Sequence, residues 1–176
     1  MRILVTGGSG LIGKALEELV LLEEYTNLYN KNEWRFLSSK DVNLLDFDQT
    51  FKYFLLYDPH IVIHLAAVVG GLYKNINNNK QMFEDNILMN MNVLKASEKC
   101  HVERFITILS TCIFPDNPSS LPLTEDIIHD GPPHYSNEGY AYAKRMLELQ
   151  TRLSSIKTIC LVPTNLFGEY DNFDGT

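Results

Sequence analysis

Thr6-Gly7-Gly8-Ser9-Gly10-Leu11-Ile12-Gly13 is the stretch that decides the fold. It follows the apolar run Ile3 to Val5 and opens a segment, Leu11 to Leu22, in which Leu11, Ile12, Ala15, Leu16, Leu19 and Val20 recur at helical spacing. A strand, a glycine-rich turn and an amphipathic helix in that order predict the first βα unit of an α/β domain. Gly7, Gly10 and Gly13 stand in a GxxGxxG spacing. One glycine permits the tight turn, another lets a pyrophosphate approach the backbone, and the third lets helix and strand pack closely. The helix start offers unpaired N–H groups to phosphate oxygens. Gly7, Gly8, Ser9, Gly10, Leu11, Ile12 and Gly13 are therefore candidate contacts for a dinucleotide. A glycine-rich turn with no ligand is the plainer alternative. The strand before and the helix after favour the dinucleotide.

The rest of the chain repeats the alternation. A polar connection from Asn27 to Glu33 leads to a second strand, Arg35 to Ser38. Asp46 to Tyr57 reads as a helix with Asp46 at the N-cap and Pro59 beyond its end. His60 to Leu65 is nearly all apolar, as a strand covered on both faces should be. Gln81 to Lys99 predicts the longest helix and Arg104 to Leu109 a fourth strand. A loop rich in Pro, Ser and Asp spans Phe114 to Asn137, before a helix from Glu138 to Leu153 and a strand from Thr158 to Val162. The expected class is α/β: a Rossmann-like doubly wound parallel sheet, one domain over residues 1–176, with right-handed crossovers.

Composition sets the boundaries of function. With 45% hydrophobic and 21% charged residues, the chain can bury a core. A net charge of -7 argues against nucleic acid or an anionic membrane as partner, since both need a basic face. Cys100, Cys112 and Cys160 are odd in number and widely spaced, a poor disulfide framework, which points to a reducing compartment. The residues before and in the first strand do not read as a signal peptide, so none is expected, and no apolar run reaches the roughly 18 residues of a bilayer span. Cytoplasm is the expected location. No His, Cys, Asp or Glu set has metal-ligand spacing, so no metal is expected.

Two further clusters carry chemistry. The second strand ends in Ser38-Ser39-Lys40 where NAD-selective folds carry an acidic residue, and hydroxyls with an ammonium suit a 2′-phosphate. NADP(H) is the expected cofactor, unless Asp41 turns inward. Tyr140 and Lys144 lie four apart at a helix start, hence on one face. An ammonium beside a phenol is expected to lower the tyrosine pKa and fit it for proton transfer. Ser110 closes the fourth strand, at the carboxyl edge where active residues of such sheets gather. Tyr142 is a competing phenol, but its two-residue offset from Lys144 turns it elsewhere on the helix.

The order TGGSGLIG, HLAA, strand-end Ser and YxxxK resembles the extended short-chain dehydrogenase/reductase family. Within it, His64 to Gly71 (HLAAVVGG), Ser110 to Pro115 (STCIFP), Tyr140 to Arg145 (YAYAKR), Pro163 to Gly168 (PTNLFG) and Asp171-Asn172-Phe173 are similar to the GDP-L-fucose synthase subfamily. The resemblance implies an NADPH-dependent 3,5-epimerase/4-reductase acting on a GDP-4-keto-6-deoxymannose. By that resemblance Tyr140 protonates the ketone oxygen, Lys144 tunes Tyr140 and holds the nicotinamide ribose, Ser110 hydrogen-bonds the same oxygen, and Cys112 is an acid/base in epimerisation. Without the resemblance, Cys112 reads as a core thiol. Leu65, Ala66, Ala67, Pro163, Asn165 and Leu166 join the implied cofactor contacts, and Val69, Gly70, Cys112 and Asn165 the substrate contacts. A homodimer through the helices starting at Gln81 and Glu138 is implied by analogy.

The family places a second acid/base histidine shortly after the Asp-Asn-Phe segment, and Asp174-Gly175-Thr176 do not supply it. His60 and His64 read as structural, and His101, His129 and His134 as loop residues. The chain is thus expected to be the cofactor-binding portion, C-terminally shorter than the family and incomplete for catalysis by itself. A non-catalytic NADP-binding or regulatory module, and another sugar-nucleotide epimerase on the same scaffold, stay open as alternatives.

Overall fold

The computed structural model describes residues 1–22 and 32–171. Five strands, β1 (Arg2–Thr6), β2 (Glu33–Leu37), β3 (Ile61–His64), β4 (Arg104–Ile108) and β5 (Lys157–Leu161), pair in parallel in the order β2-β1-β3-β4-β5. They alternate with α1 (Leu11–Leu21), α2 (Phe47–Tyr57), the short α3 (Leu72–Asn77), α4 (Asn79–Lys99) and α5 (Glu138–Leu153). This is a Rossmann-like doubly wound sheet. The chain moves outward from β1 to β2, then returns to the other side of β1 for β3. The order therefore reverses between β1 and β3, where such sheets open a crevice at their carboxyl edge.

Burial follows position in the sheet. Leu4, Val5 and Thr6 of β1 are wholly buried, whereas β2 and β5 alternate exposed and half-buried positions as edge strands do. Leu4, Val62 and Phe105, from three adjacent strands, pack against Phe54 of α2 and Val93, Leu94 and Ala96 of α4. Full burial of a side chain such as Phe54 or Phe105 contributes roughly 2–3 kcal/mol each. A smaller cluster of Leu109, Ile113, Ile128 and Leu147 ties the exit of β4 to α5.

Each expected strand and helix is present with its type, and its bounds shift by a few residues at most. Glu33, expected in the connection, is the first residue of β2, paired opposite Arg2, and an edge position accommodates its charge. Of that polar connection, Asn27 to Lys31 lie outside the described residues, as do Asn172 and Phe173. Asp46 caps α2 as expected, its carboxylate accepting from the Gln49 N–H at 3.0 Å. The helix α3 was not anticipated. It has only 6 residues, too few to show a hydrophobic period, and Asn75 ties it down by donating to the Gly70 carbonyl at 2.6 Å. The long loop before α5 contains three single-turn 3-10 segments, Thr111–Ile113, Glu125–Ile127 and Tyr135–Asn137. Among the described residues no helix is long and apolar enough to cross a membrane.

Candidate functional site at the carboxyl edge of the sheet

The first turn owes its shape to backbone contact. Gly7 has φ +72°, and a Cβ there would lie 2.6 Å from the Ala66 nitrogen, at the exit of β3. At Gly13 a Cβ would stand 2.4 Å from the Gly7 carbonyl oxygen, so this glycine lets α1 sit directly on its own turn. Gly8 is pressed against Phe36 of β2 and faces away from the crevice. Gly10 differs: its nearest neighbour is 3.4 Å away, which leaves the approach to its backbone clear. Gly10 is also the N-cap of α1 and supplies no side-chain cap. The first-turn amides of Leu11, Ile12 and Gly13 consequently have no partner within the helix, and all three residues line the crevice. The cradle fits a pyrophosphate in shape and polarity.

The crevice is a cavity of about 540 Å³. Besides the turn residues Gly7, Ser9 and Gly10, it is walled by Ser38 and Ser39 after β2, Leu65, Ala66, Ala67 and Val69 after β3, and Tyr140 and Lys144 of α5. These were separate expectations from separate stretches of sequence, and the fold brings them to one site. The cavity also takes in Asn43, Leu44 and Leu45, Met89 of α4 and Ile108 of β4, which sequence reading missed. Asn43 to Leu45 leave a faint signal only, as a segment between a strand end and the Asp46 cap. The side-chain amide of Asn92 on α4 holds that segment, donating to the Leu44 carbonyl at 2.9 Å.

Buried polar residues fix the wall after β3. Asn86, fully buried on α4, accepts from the Val68 N–H and donates to the Val68 carbonyl, both at 2.9 Å, and so pairs with that residue as a neighbouring strand would. His64 joins Thr6 Oγ1 at 2.7 Å through Nδ1 and Asn90 Oδ1 at 3.0 Å through Nε2. The Ala66 N–H donates to Thr6 Oγ1 in turn. Because Asn90 Oδ1 can only accept, this network assigns the imidazole proton to Nε2. Burial lowers the His64 pKa to about 4, against the opposing hydrogen bond to Asn90. His64 is neutral and structural, as expected; His60 accepts from the Arg2 N–H through Nδ1.

The opposite wall departs from expectation in its electrostatics. Lys144 is buried and donates from Nζ to the Ile108 carbonyl at 2.7 Å, with Nζ 5.6 Å from the centre of the Tyr140 ring. Burial raises the Tyr140 pKa, and the neighbouring Cys112 adds to the shift. The expected lowering by the ammonium does not occur. Lys144 faces the ring and the strand-end carbonyl, and its own pKa is lowered by burial to about 8. Cys112 also departs: burial raises its thiol, outweighing the hydrogen bond from Ser110 and the nearby Lys144 and Arg145. Ser110 and Cys112 do not line the cavity. The Ser110 hydroxyl accepts from the Cys112 N–H at 3.4 Å and caps the 3-10 turn that carries the thiol.

Several expected contacts are not gathered into this cavity. Lys40 is exposed beside it, and Asp41 turns back to accept from both the N–H and hydroxyl of Ser38, at 2.7 and 2.6 Å. Those hydrogen bonds hold the Asp41 carboxyl below its ordinary range. The Gly70 carbonyl is engaged by Asn75. Pro163 and Asn165 lie outside the cavity, and Leu166 lines a second cleft of about 340 Å³, across α1 from the first, with Leu11, Ile12 and Tyr170. The segment after β5 leaves the sheet plane toward α1, a path that its sequence does not encode locally. Among the described residues no group of His, Cys, Asp or Glu is arranged to hold a metal ion.

Comparison with known proteins places this geometry. The chain is 43% identical over 175 residues to the GDP-L-fucose synthase of Dictyostelium discoideum, covering 97% of this chain and 53% of that protein. It is 41% identical to the probable GDP-L-fucose synthase of Drosophila melanogaster, covering 98% of this chain and 54% of that one. The chain thus spans about half the length of the curated relatives it matches. Among solved structures, the GDP-L-fucose synthetase of Naegleria fowleri bound to NADP superposes with a TM-score of 0.86 at 46% identity, over 98% of this chain and 52% of that one. The model of the NAD dependent epimerase/dehydratase family matches residues 3–176, and the chain belongs to that family.

Proposed function

We propose that this chain is the NADP(H)-binding portion of a 3,5-epimerase/4-reductase that converts GDP-4-keto-6-deoxy-D-mannose to GDP-L-fucose. The observation that carries the reading is the convergence on one cavity of the glycine turn with its uncapped helix start and the buried Tyr140–Lys144 pair. The names of the relatives supply the substrate class. Bound NADPH would supply a hydride to the keto carbon. Backbone amides of Leu11, Ile12 and Gly13 would hold the pyrophosphate, and Ser38, Ser39 and Lys40 the 2′-phosphate.

Each side chain then has a task set by its surroundings. Tyr140, held above its ordinary pKa by burial, is a neutral phenol at pH 7 and so a proton donor to the ketone oxygen. Lys144 would hold the nicotinamide ribose, with its ammonium anchored on the Ile108 carbonyl. Ser110 would hydrogen-bond the same ketone oxygen. Cys112, kept as a thiol by burial, would donate a proton during epimerisation. Pro163, Asn165 and Leu166 would complete the cofactor wall, and Val69, Gly70 and Asn165 the substrate side. We place the protein in the cytoplasm and as a homodimer, with exposed Leu88 and Met91 of α4 in the interface. A second reading is favoured by 34% identity to the GDP-L-colitose synthase of Yersinia pseudotuberculosis: the same scaffold could take a different GDP-keto sugar.

Calorimetry with NADPH and NADH tests the cofactor claim. Micromolar binding of NADPH, tighter than NADH, is the expected result, and a folded chain that binds neither would overturn it. Loss of NADPH absorbance with GDP-4-keto-6-deoxy-D-mannose tests the reaction. Turnover only with another GDP-keto sugar would select the second reading.

A further inference from the structure

We infer that Asn79, the first residue of α4, is a positioning residue for Tyr140: it caps the helix that carries the phenol from a neighbouring helix and sets its depth in the cavity. The inference rests on the assignment of Tyr140 to the cofactor and substrate site.

α5 begins at Glu138, so Gly139 and Tyr140 are its second and third residues. A helix start of this kind normally takes a side-chain oxygen from its own N-cap residue onto the second or third N–H. Here the N-cap is Asn137, whose side chain makes no cap bond. The missing acceptor comes from Asn79, whose Oδ1 accepts from the Gly139 N–H at 3.0 Å. The same amide donates through Nδ2 to the Tyr135 carbonyl at 3.3 Å, in the 3-10 turn that feeds α5. One side chain thus grips the chain on both sides of the helix start. The backbones also meet: a Cβ on the buried Gly139 would fall 2.0 Å from the Asn79 carbonyl oxygen. No other glycine of the described set meets its neighbour more closely, and this one immediately precedes Tyr140. At the far side of the same turn, Lys144 is tied to Ile108 of β4. Tyr140 is therefore suspended between a fixed helix start and a fixed lysine, and a shift of Asn79 passes directly to the residue next to the phenol. Placement within about 0.5 Å is what such a group needs to act.

The test compares two nucleotides on the whole chain carrying Asn79→Ala or Asn79→Asp. NADPH reaches Tyr140 in the proposed site; 2′,5′-ADP carries the 2′-phosphate and the adenosine-side 5′-phosphate and lacks the nicotinamide half. Loss of the two hydrogen bonds of Asn79 should weaken NADPH about three- to tenfold in Asn79→Ala and leave 2′,5′-ADP within about twofold. Asn79→Asp keeps the acceptor on the Gly139 N–H but loses the donor to the Tyr135 carbonyl, and should restore most of the NADPH affinity. In parallel, the chain labelled with [13Cζ]tyrosine, with Tyr140 assigned by Tyr140→Phe, should show the Tyr140 resonance moved in Asn79→Ala and returned in Asn79→Asp. Equal weakening of both nucleotides, or an unmoved Tyr140 resonance, would overturn the inference. If the unaltered chain binds neither nucleotide, the cofactor reading fails and the Tyr140 resonance alone decides the positioning role. Should Asn79→Ala fail to fold, Asn79→Ser, whose shorter hydroxyl cannot span the same distance, is read in the same way.

Discussion

The two banks of the crevice are built on different principles. On the β1 bank the shape is made by close backbone packing, Gly7 on Ala66 and Gly13 on Gly7, and by the buried side-chain amide of Asn86 hydrogen-bonded to the Val68 backbone. On the α5 bank it is made by side chains whose protonation depends on burial, Tyr140 and Lys144, with the buried thiol of Cys112 behind them. At Gly7 and Gly13 the first bank has no room for an added atom. The second tolerates changes of shape better than changes of charge, because its character comes from desolvation. A cofactor held by the first bank can thus be presented to acid/base groups tuned independently by the second.

The largest effect should come from filling the first bank. Gly13→Val drives its side chain into the Gly7 carbonyl oxygen and the Gly8 Cα, and should cost about 3 kcal/mol or more by denaturant titration. Gly10→Ala, whose Cβ would meet only the Gly7 carbonyl oxygen, at 3.4 Å, should cost under about 1 kcal/mol yet weaken NADPH at least about tenfold. Comparable destabilisation by the two substitutions would break the distinction between packing glycines and a ligand-facing one.

Next comes the pH dependence of the buried imidazole. The folded chain holds His64 with a pKa of about 4, against 6.5 in the unfolded chain. Between those values the unfolded state binds the extra proton, so stability is full above pH 6.5 and lost as the pH falls toward 4. The loss should be on the order of 2–3 kcal/mol, and absent from the corresponding difference curve of His64→Gln.

The second bank predicts a slope at the other end of the scale. Lys144 titrates near 8 in the folded chain and 10.5 when unfolded, so stability should rise with pH between those values. Measured against Lys144→Met, the rise should be on the order of 2 kcal/mol. Both proteins should carry Tyr140→Phe, because a phenol whose pKa is raised in the fold loses stability as the pH climbs past 10. A flat difference would mean that Lys144 is solvated, and the contrast between the banks would then narrow to shape alone.

The smallest effect concerns Asp41. Its carboxylate occupies both donors of Ser38 and adds negative charge beside the expected 2′-phosphate position. Asp41→Asn should tighten NADPH about two- to threefold by calorimetry and leave NADH unchanged.

The unequal legibility of the banks has the same origin as their contrast. Gly7 and Gly13 are visible in sequence because only glycine meets their steric demand, and the demand is local: a turn and the helix that follows it. Tyr140 and Lys144 are visible as a pair because helical periodicity puts positions four apart on one face. Asn86, Asn92 and Asn79 were not visible. Asparagine on a helix carries no periodic signal, and the partners of these residues, Val68, Leu44 and Gly139, lie 18, 48 and 60 residues away. Ser110 was found from its place at the end of a strand and Cys112 by resemblance, but their setting behind the cavity wall was not, since it depends on how far the 3-10 turn after β4 is drawn toward α5.

The sequence by itself determined the alternation of strands and helices, the glycine turn and the pairing of a phenol with an amine, because each depends on spacing within one element or one turn. Only the tertiary structure decided which glycine keeps its backbone open to the crevice, which asparagines hold the walls, and whether the phenol and amine are neutral or charged. Those properties are set by neighbours distant in the chain and by exclusion of water, and burial reversed the expectation for Tyr140 that proximity to Lys144 alone had raised.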